Sequence, residues 1–178
     1  MTTQVDYRIG NDVIDQLTGL QADSSLHALR HLREKVVVAT QGSYDTLFDP
    51  ALEDIALDER LLVALYACRL SGAHVLAAHY RSRLEAIPAG AEQADPAQLA
   101  VAATGEPEQL PQGRLRAMLL FTRALTQRPV EGDKAALLTL PAAGISTPAV
   151  VALSQLIAFI SYQVRVLAGL HAMQLANN

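Results

Sequence analysis

Apolar residues recur along this chain at the three- and four-residue spacing of helix faces, without the alternation that marks a half-buried strand. Asp12 is placed to cap a short first helix, and Ser24 or Ser25 a second. In HLREKVVVATQGSYDTLF, Leu32, Val36 and Leu47 suit a helix ending at Asp49-Pro50, although Val36-Val37-Val38 is β-branched. A central helix starts near Leu57-Asp58 and carries two stripes, Leu61/Leu65/Cys68 and Glu59/Leu62/Tyr66/Arg69. Ser71-Gly72 breaks it, and the next helix runs from about Ala73 to Ala86, before Pro88.

Residues 88–110 are rich in Pro, Gly and acidic side chains and read as a loose connection with one short helix inside. Pro111 then marks a helix N-terminus, with Leu115, Met118, Leu119, Thr122 and Leu125 at core spacing. Gly132-Asp133 starts a short helix, and Thr147-Pro148 opens the last one as N-cap and first-turn proline. The pattern predicts an all-α fold, a single domain over 1–178 with about seven or eight helices.

From Ala135 to Val164 there is no charged residue, but Pro141, Gly144 and Pro148 interrupt the run. What remains carries Ser154, Gln155, Ser161 and Gln163 and ends on Arg165, which suits a core or interface helix better than a membrane span. The chain is 51% hydrophobic and 18% charged, and so apolar a surface for 178 residues predicts a homo-oligomer. A net charge of -4 with scattered cations offers nucleic acid no basic stripe. One cysteine forms no internal disulfide, and MTTQVDYRIGNDVID has no apolar core of a signal peptide; both point to the reducing cytoplasm. With no Gly-rich phosphate loop and no metal cluster in the sequence, no cofactor is expected.

The stretch ERLLVALYACRLSGAHVLAAH, Glu59 to His79, resembles the signature helix pair of the carboxymuconolactone decarboxylase and alkylhydroperoxidase D superfamily. That signature is Glu, eleven residues, Cys-x-x-Cys, three residues, His. His79 matches the closing histidine, followed by Tyr80-Arg81, while the two cysteine positions fall on Gly72 and Val75. The family spacing puts its carboxylate at Arg60, about 100° around a helix from Glu59. Glu59 takes that place only if the turn at Ser71-Gly72 differs by one residue. In that case the first cysteine position moves to Ala73.

RLRAMLLFTRALTQRP, AAGIS and VVALSQLIAFISYQVRVLAGL resemble the second half of the superfamily's peroxidase-related branch. QGSYDTLFDP and DVIDQLTGL are similar to a subgroup without the cysteine pair. The resemblance implies an alkylhydroperoxidase D-like helical fold. It also implies that the redox centre is absent and only acid/base partners survive.

His79 is the candidate catalyst, since histidine titrates near neutrality; its bland alternative is a hydrogen-bonded core residue. His74, about 140° away on a helix, reaches the same cavity only across the turn. Cys68 is either a small buried hydrophobe or a reactive thiol, and the second needs exposure and a lowered pKa. Glu59 favours the helix dipole or supplies the family's carboxylate. Tyr66 packs, or donates into a substrate cavity. Arg165 lies in an apolar helix, so it must reach water, a carboxylate such as Glu59, or a bound anion. Gln163 and Arg165 stand near the Asn-Arg pair of the peroxidase-related branch. His27 and His31 have i, i+4 spacing, but no third ligand is near in sequence, and the reading is a solvated face with Arg30 and Arg33 rather than a metal site.

Three functions remain open. The first is acid/base chemistry on a small organic acid or lactone through His79. The second is a peroxidase-related antioxidant activity, through Cys68 or vestigial. The third is a non-catalytic oligomeric binding module.

Overall fold

The helix Leu57–Leu70 is enclosed over its second half, where from Leu61 to Cys68 every residue is at most 3% exposed. A helix that is apolar all round has to be enclosed by neighbours. It does not bury two separate stripes, as the spacing suggested. In the computed structural model, which describes residues 12–88 and 94–176, the chain is all-α, as its pattern predicts. The described residues form nine α-helices. These are α1 Val13–Thr18, α2 Ser25–His31, α3 Glu34–Leu47, α4 Leu57–Leu70, α5 His74–Glu85, α6 Pro96–Thr104, α7 Arg114–Gln127, α8 Lys134–Ala142 and α9 Thr147–Ala176. Residues 1–11, read above as lacking signal-peptide character, and 89–93 of the loose connection lie outside the described residues.

Contacts divide the chain into two compact units. The larger comprises residues 47–164, and the smaller comprises residues up to 46 together with those from 165 on. The connection at 88–110 falls within the span of the larger unit. There α4 packs on α5, α6 and α7, and α7 on α8. In the smaller unit, Gln41 of α3 accepts from the Val13 amide (2.8 Å), and Gln174 of α9 donates to the Thr18 carbonyl (3.1 Å).

Side-chain capping sets several helix starts. Asp12, Ser24 and Asp133 each accept amides of the turn they open. Two expected starts shift. Gly113 rather than Pro111 precedes α7, and Ser146 rather than Thr147 caps α9, its hydroxyl accepting the Ala149 amide at 3.3 Å.

Arg60 is 1% exposed and points its guanidinium at the chain entering α4. Its Nε donates to the Ile55 carbonyl (2.9 Å), Nη1 to Leu47 (2.6 Å), and Nη2 to Asp49 (2.9 Å) and Leu52 (3.4 Å). One planar fork thus donates to four carbonyls from Leu47, the last residue of α3, to Ile55 before α4, a stretch otherwise held by a turn bond from the Leu52 amide to Asp49. Removing it takes a donor from the buried Ile55 carbonyl and from the half-buried Leu47 and Leu52 carbonyls. Arg60→Met, which keeps the stem and loses the fork, should lower unfolding stability by about 3 kcal/mol or more. Arg60→Lys should recover only part of that loss. Urea denaturation followed by circular dichroism measures both; an unchanged midpoint in Arg60→Met would refute the clamp.

Candidate functional site

The α4–α5 hairpin turns through a glycine cap. Gly72 has φ +66°; its amide donates to the Arg69 carbonyl (3.0 Å), and the Ala73 amide to Cys68 (2.9 Å). This is the Schellman arrangement, which needs a left-handed residue after the helix. The resemblance puts the family's first cysteine at Gly72, where a side chain would be strained by the backbone angle itself. Val75, at the second position, is 45% exposed on the first turn of α5.

His79 lies half-buried on α5. Burial, reinforced by the Arg83 guanidinium one turn on, pushes its pKa down to about 4. The imidazole is therefore neutral at physiological pH. Its ring meets Tyr80 edge-on, with centroids 5.1 Å apart. Tyr80 is buried and donates its hydroxyl to Gln163 Oε1 of α9, while Arg83 lies over the Phe48 ring, 5.0 Å from its centre. Phe48 in turn packs on Tyr80 at 5.1 Å. Tyr80 and Arg83 thus lie beside His79, with Phe48 and the Gln163 amide against Tyr80.

The other candidates do not converge on His79. The Glu59 carboxylate pairs with Arg114 of α7 (3.2 and 3.3 Å) and is not among the groups that shift His79. The position that the family spacing assigns to a carboxylate is held by the Arg60 clamp. His74 is exposed at the first residue of α5 and shares that helix with His79, about 140° away, rather than facing it across the turn. Cys68 is fully buried and its thiol is pushed up to about 12 by desolvation, so it takes the part of a small core hydrophobe. Tyr66 is fully buried too; among the described residues its hydroxyl has no hydrogen-bond partner, and Arg69 lies over its ring at 4.9 Å. Arg165 is exposed on α9, so it reaches water and carries no buried charge.

Two clefts open elsewhere in the larger unit. One of about 790 Å³ lies between α7 and α8, with Arg116, Leu120, Phe121 and Thr139 in its wall. Its lining residues include no carboxylate, histidine or thiol. The other, about 360 Å³, is lined by the charged side chains Glu106, Arg123, Arg128 and Glu131. None of the six candidate residues borders either cleft.

In the smaller unit the structure corrects the reading of His27 and His31. They do not occupy a solvated face: His27 is buried, His31 half-buried, and their rings stack with centroids 4.0 Å apart. Asp15, buried on α1, brings its Oδ2 to 2.8 Å from His31 Nε2 and 3.5 Å from His27 Nε2. Arg30 holds the carboxylates from the other side, with Nη1 at 2.6 Å from Asp12 Oδ2 and 2.8 Å from Asp15 Oδ1, and Nη2 at 3.0 Å from Asp12 Oδ1. Burial opposes ionisation of Asp12, but the Arg30 contact and amide bonds prevail and hold its carboxyl below the usual range. Only the i, i+4 spacing of the histidines and the capping role of Asp12 were visible in the sequence. Nothing local announces that Asp15 meets them.

The depressed pKa of His79 has a consequence for stability. Between pH 6.5, its ordinary value, and about 4, the unfolded chain binds a proton that the folded chain refuses. Its contribution is therefore complete above 6.5 and is lost as pH falls toward 4. His79→Gln should flatten that stretch of the stability curve by on the order of 1–2 kcal/mol, a half-buried group being partly screened. Urea midpoints at pH 7 and pH 4.5 test this, and parallel losses in both proteins would contradict it.

No protein-family model matches this chain, and a search of curated proteins likewise finds no match.

Proposed function

We propose that this chain is a cysteine-less member of the carboxymuconolactone decarboxylase and alkylhydroperoxidase D-like superfamily, with an alkylhydroperoxidase D-like fold. In this reading its α4–α5 pair performs acid/base chemistry on a small organic acid or lactone at His79. The observation that carries the proposal is a half-buried, neutral imidazole one helical turn from a guanidinium. Arg83 accepts the carboxylate of the ligand. That carboxylate offsets the positive charge which, together with burial, depresses His79, so its proton affinity rises when the acid is bound. The imidazole then serves as a general base in the complex, where a base is useful.

The alternatives have less support. A peroxidase needs a thiolate, and Cys68 is enclosed with its pKa pushed up to about 12. A purely binding module remains the second reading, because His79 and Arg83 would hold an acid without turning it over. The exposed apolar side chains Leu137 and Leu138 of α8 and Val151 of α9 favour a homo-oligomer. By length and composition α9 could cross a membrane. Its Ala149, Leu153, Leu156, Ile157 and Ile160 are buried within the protein, which supports the core-helix reading, although only 39% of its most apolar window is buried.

The site's charge logic is testable with succinate as probe. Calorimetric titration at pH 7 should show saturable binding, weakened about tenfold or more in Arg83→Gln. His79→Gln should bind comparably and lose any turnover found. No saturable binding, or binding indifferent to Arg83, would remove the proposal.

A further inference from the structure

The His79 reading makes no use of Asp15, His27 and His31, which lie in the smaller unit. Their ligand atoms, Asp15 Oδ2 and the two Nε2 atoms, all lie within 4.8 Å of one another. Tetrahedral zinc holds nitrogen and oxygen ligands at about 2.0–2.2 Å, which places neighbouring donors about 3.4 Å apart. The separations of 2.8 and 3.5 Å from Asp15 Oδ2 bracket that value. We propose that these three side chains form a binding site for a divalent transition-metal ion, zinc in the first instance, with a fourth position for water or an added ligand.

Three independent features point the same way. His27 is 7% exposed, and among the described residues its buried Nε2 has no hydrogen-bond partner, although it lies 3.5 Å from the carboxylate. A buried imidazole nitrogen left so is costly, and a metal would satisfy it. The second feature is charge. Asp12 and Asp15 bring two buried carboxyl groups against the single guanidinium of Arg30, an acidic pair beside which a cation is favoured. The third is orientation. Arg30 occupies Asp15 Oδ1 and leaves Oδ2 to the histidines, the outer-sphere arrangement that fixes a ligating carboxylate. Arg30 also limits affinity, because its Nη1 is 3.2 Å from His31 Nε2 and puts a positive charge beside the ion.

Two imidazoles and a carboxylate suit zinc, cobalt and iron(II) better than magnesium or calcium, which prefer oxygen ligands. The site also links α1 to α2, so an ion there would tie two helices of six and seven residues, each too short to be stable alone.

The test is titration of the whole, metal-stripped protein with Co2+, read by the visible absorption of a nitrogen- and oxygen-coordinated ion, and with Zn2+ by calorimetry. One ion per chain is expected. His27→Gln, His31→Gln and Asp15→Asn should each weaken it about tenfold or more, and His74→Gln should leave it unchanged. Circular dichroism establishes that each variant is folded. If Asp15→Asn does not fold, histidine ring resonances in the unmodified protein decide instead. Zn2+ should then move two imidazoles, assigned by the His27 and His31 variants, and leave His74 and His171 in place. Absence of stoichiometric binding would overturn the proposal, as would binding that survives the histidine variants. Rings that respond to pH but not to Zn2+ would also overturn it, and would show that a protonated imidazole supplies the charge.

Discussion

Enclosing α4 on every side is the constraint on which the larger unit depends. A helix buried from Leu61 to Cys68 has no face left for solvent, so a polar group along it is costly unless it finds a partner inside. Arg60 meets that demand by bonding four backbone carbonyls of the segment leading into the helix. Burial and the neighbouring Arg83 pull its pKa below the ordinary value, while Asp49 and Asp58 act the other way. The clamp fixes the entry to α4, and the Gly72 cap fixes its exit. Between those two points the register of α5 is set, and with it the place of His79. Chemistry at Cys68 is excluded by the same enclosure that makes α4 a core element.

Under the proposed membership, the departures of the α4–α5 pair from the decarboxylase and alkylhydroperoxidase D signature have a physical content of their own. Where the signature calls for a carboxylate, the chain has a guanidinium that holds backbone. Where it calls for a cysteine, the chain has a left-handed glycine. The two substitutions are consistent with one another, since a redox pair needs both an accessible thiol and an acid to serve it. What remains is an imidazole whose charge state is governed by desolvation and Arg83 rather than by a carboxylate.

The sequence made the helices legible because their boundaries rest on local chemistry: Asp12, Ser24 and Asp133 cap amides two or three residues away. The start of α9 slipped by one because Ser146 and Thr147 are both good caps, and only geometry chooses between them. The burial of α4 was half legible. Periodicity identifies apolar positions but cannot count the neighbours that cover them. The sites were legible only in part. Arg83 could have been paired with His79 from its i, i+4 spacing alone. Glu59 could not have been assigned to Arg114, which lies 55 residues further on. Likewise, the meeting of Asp15 with His27 and His31 depends on how two short helices pack, which no spacing encodes.

The central claim is that His79 is kept as a neutral imidazole by burial and Arg83 and regains proton affinity when an anion binds. Nuclear magnetic resonance titration of its ring protons, assigned through His79→Gln, tests this most directly. Without ligand the midpoint should fall near pH 4. In saturating succinate it should move up, and in Arg83→Gln the ligand should no longer move it. A midpoint at the ordinary 6.5 in the free protein, or one that succinate leaves in place, would contradict the account.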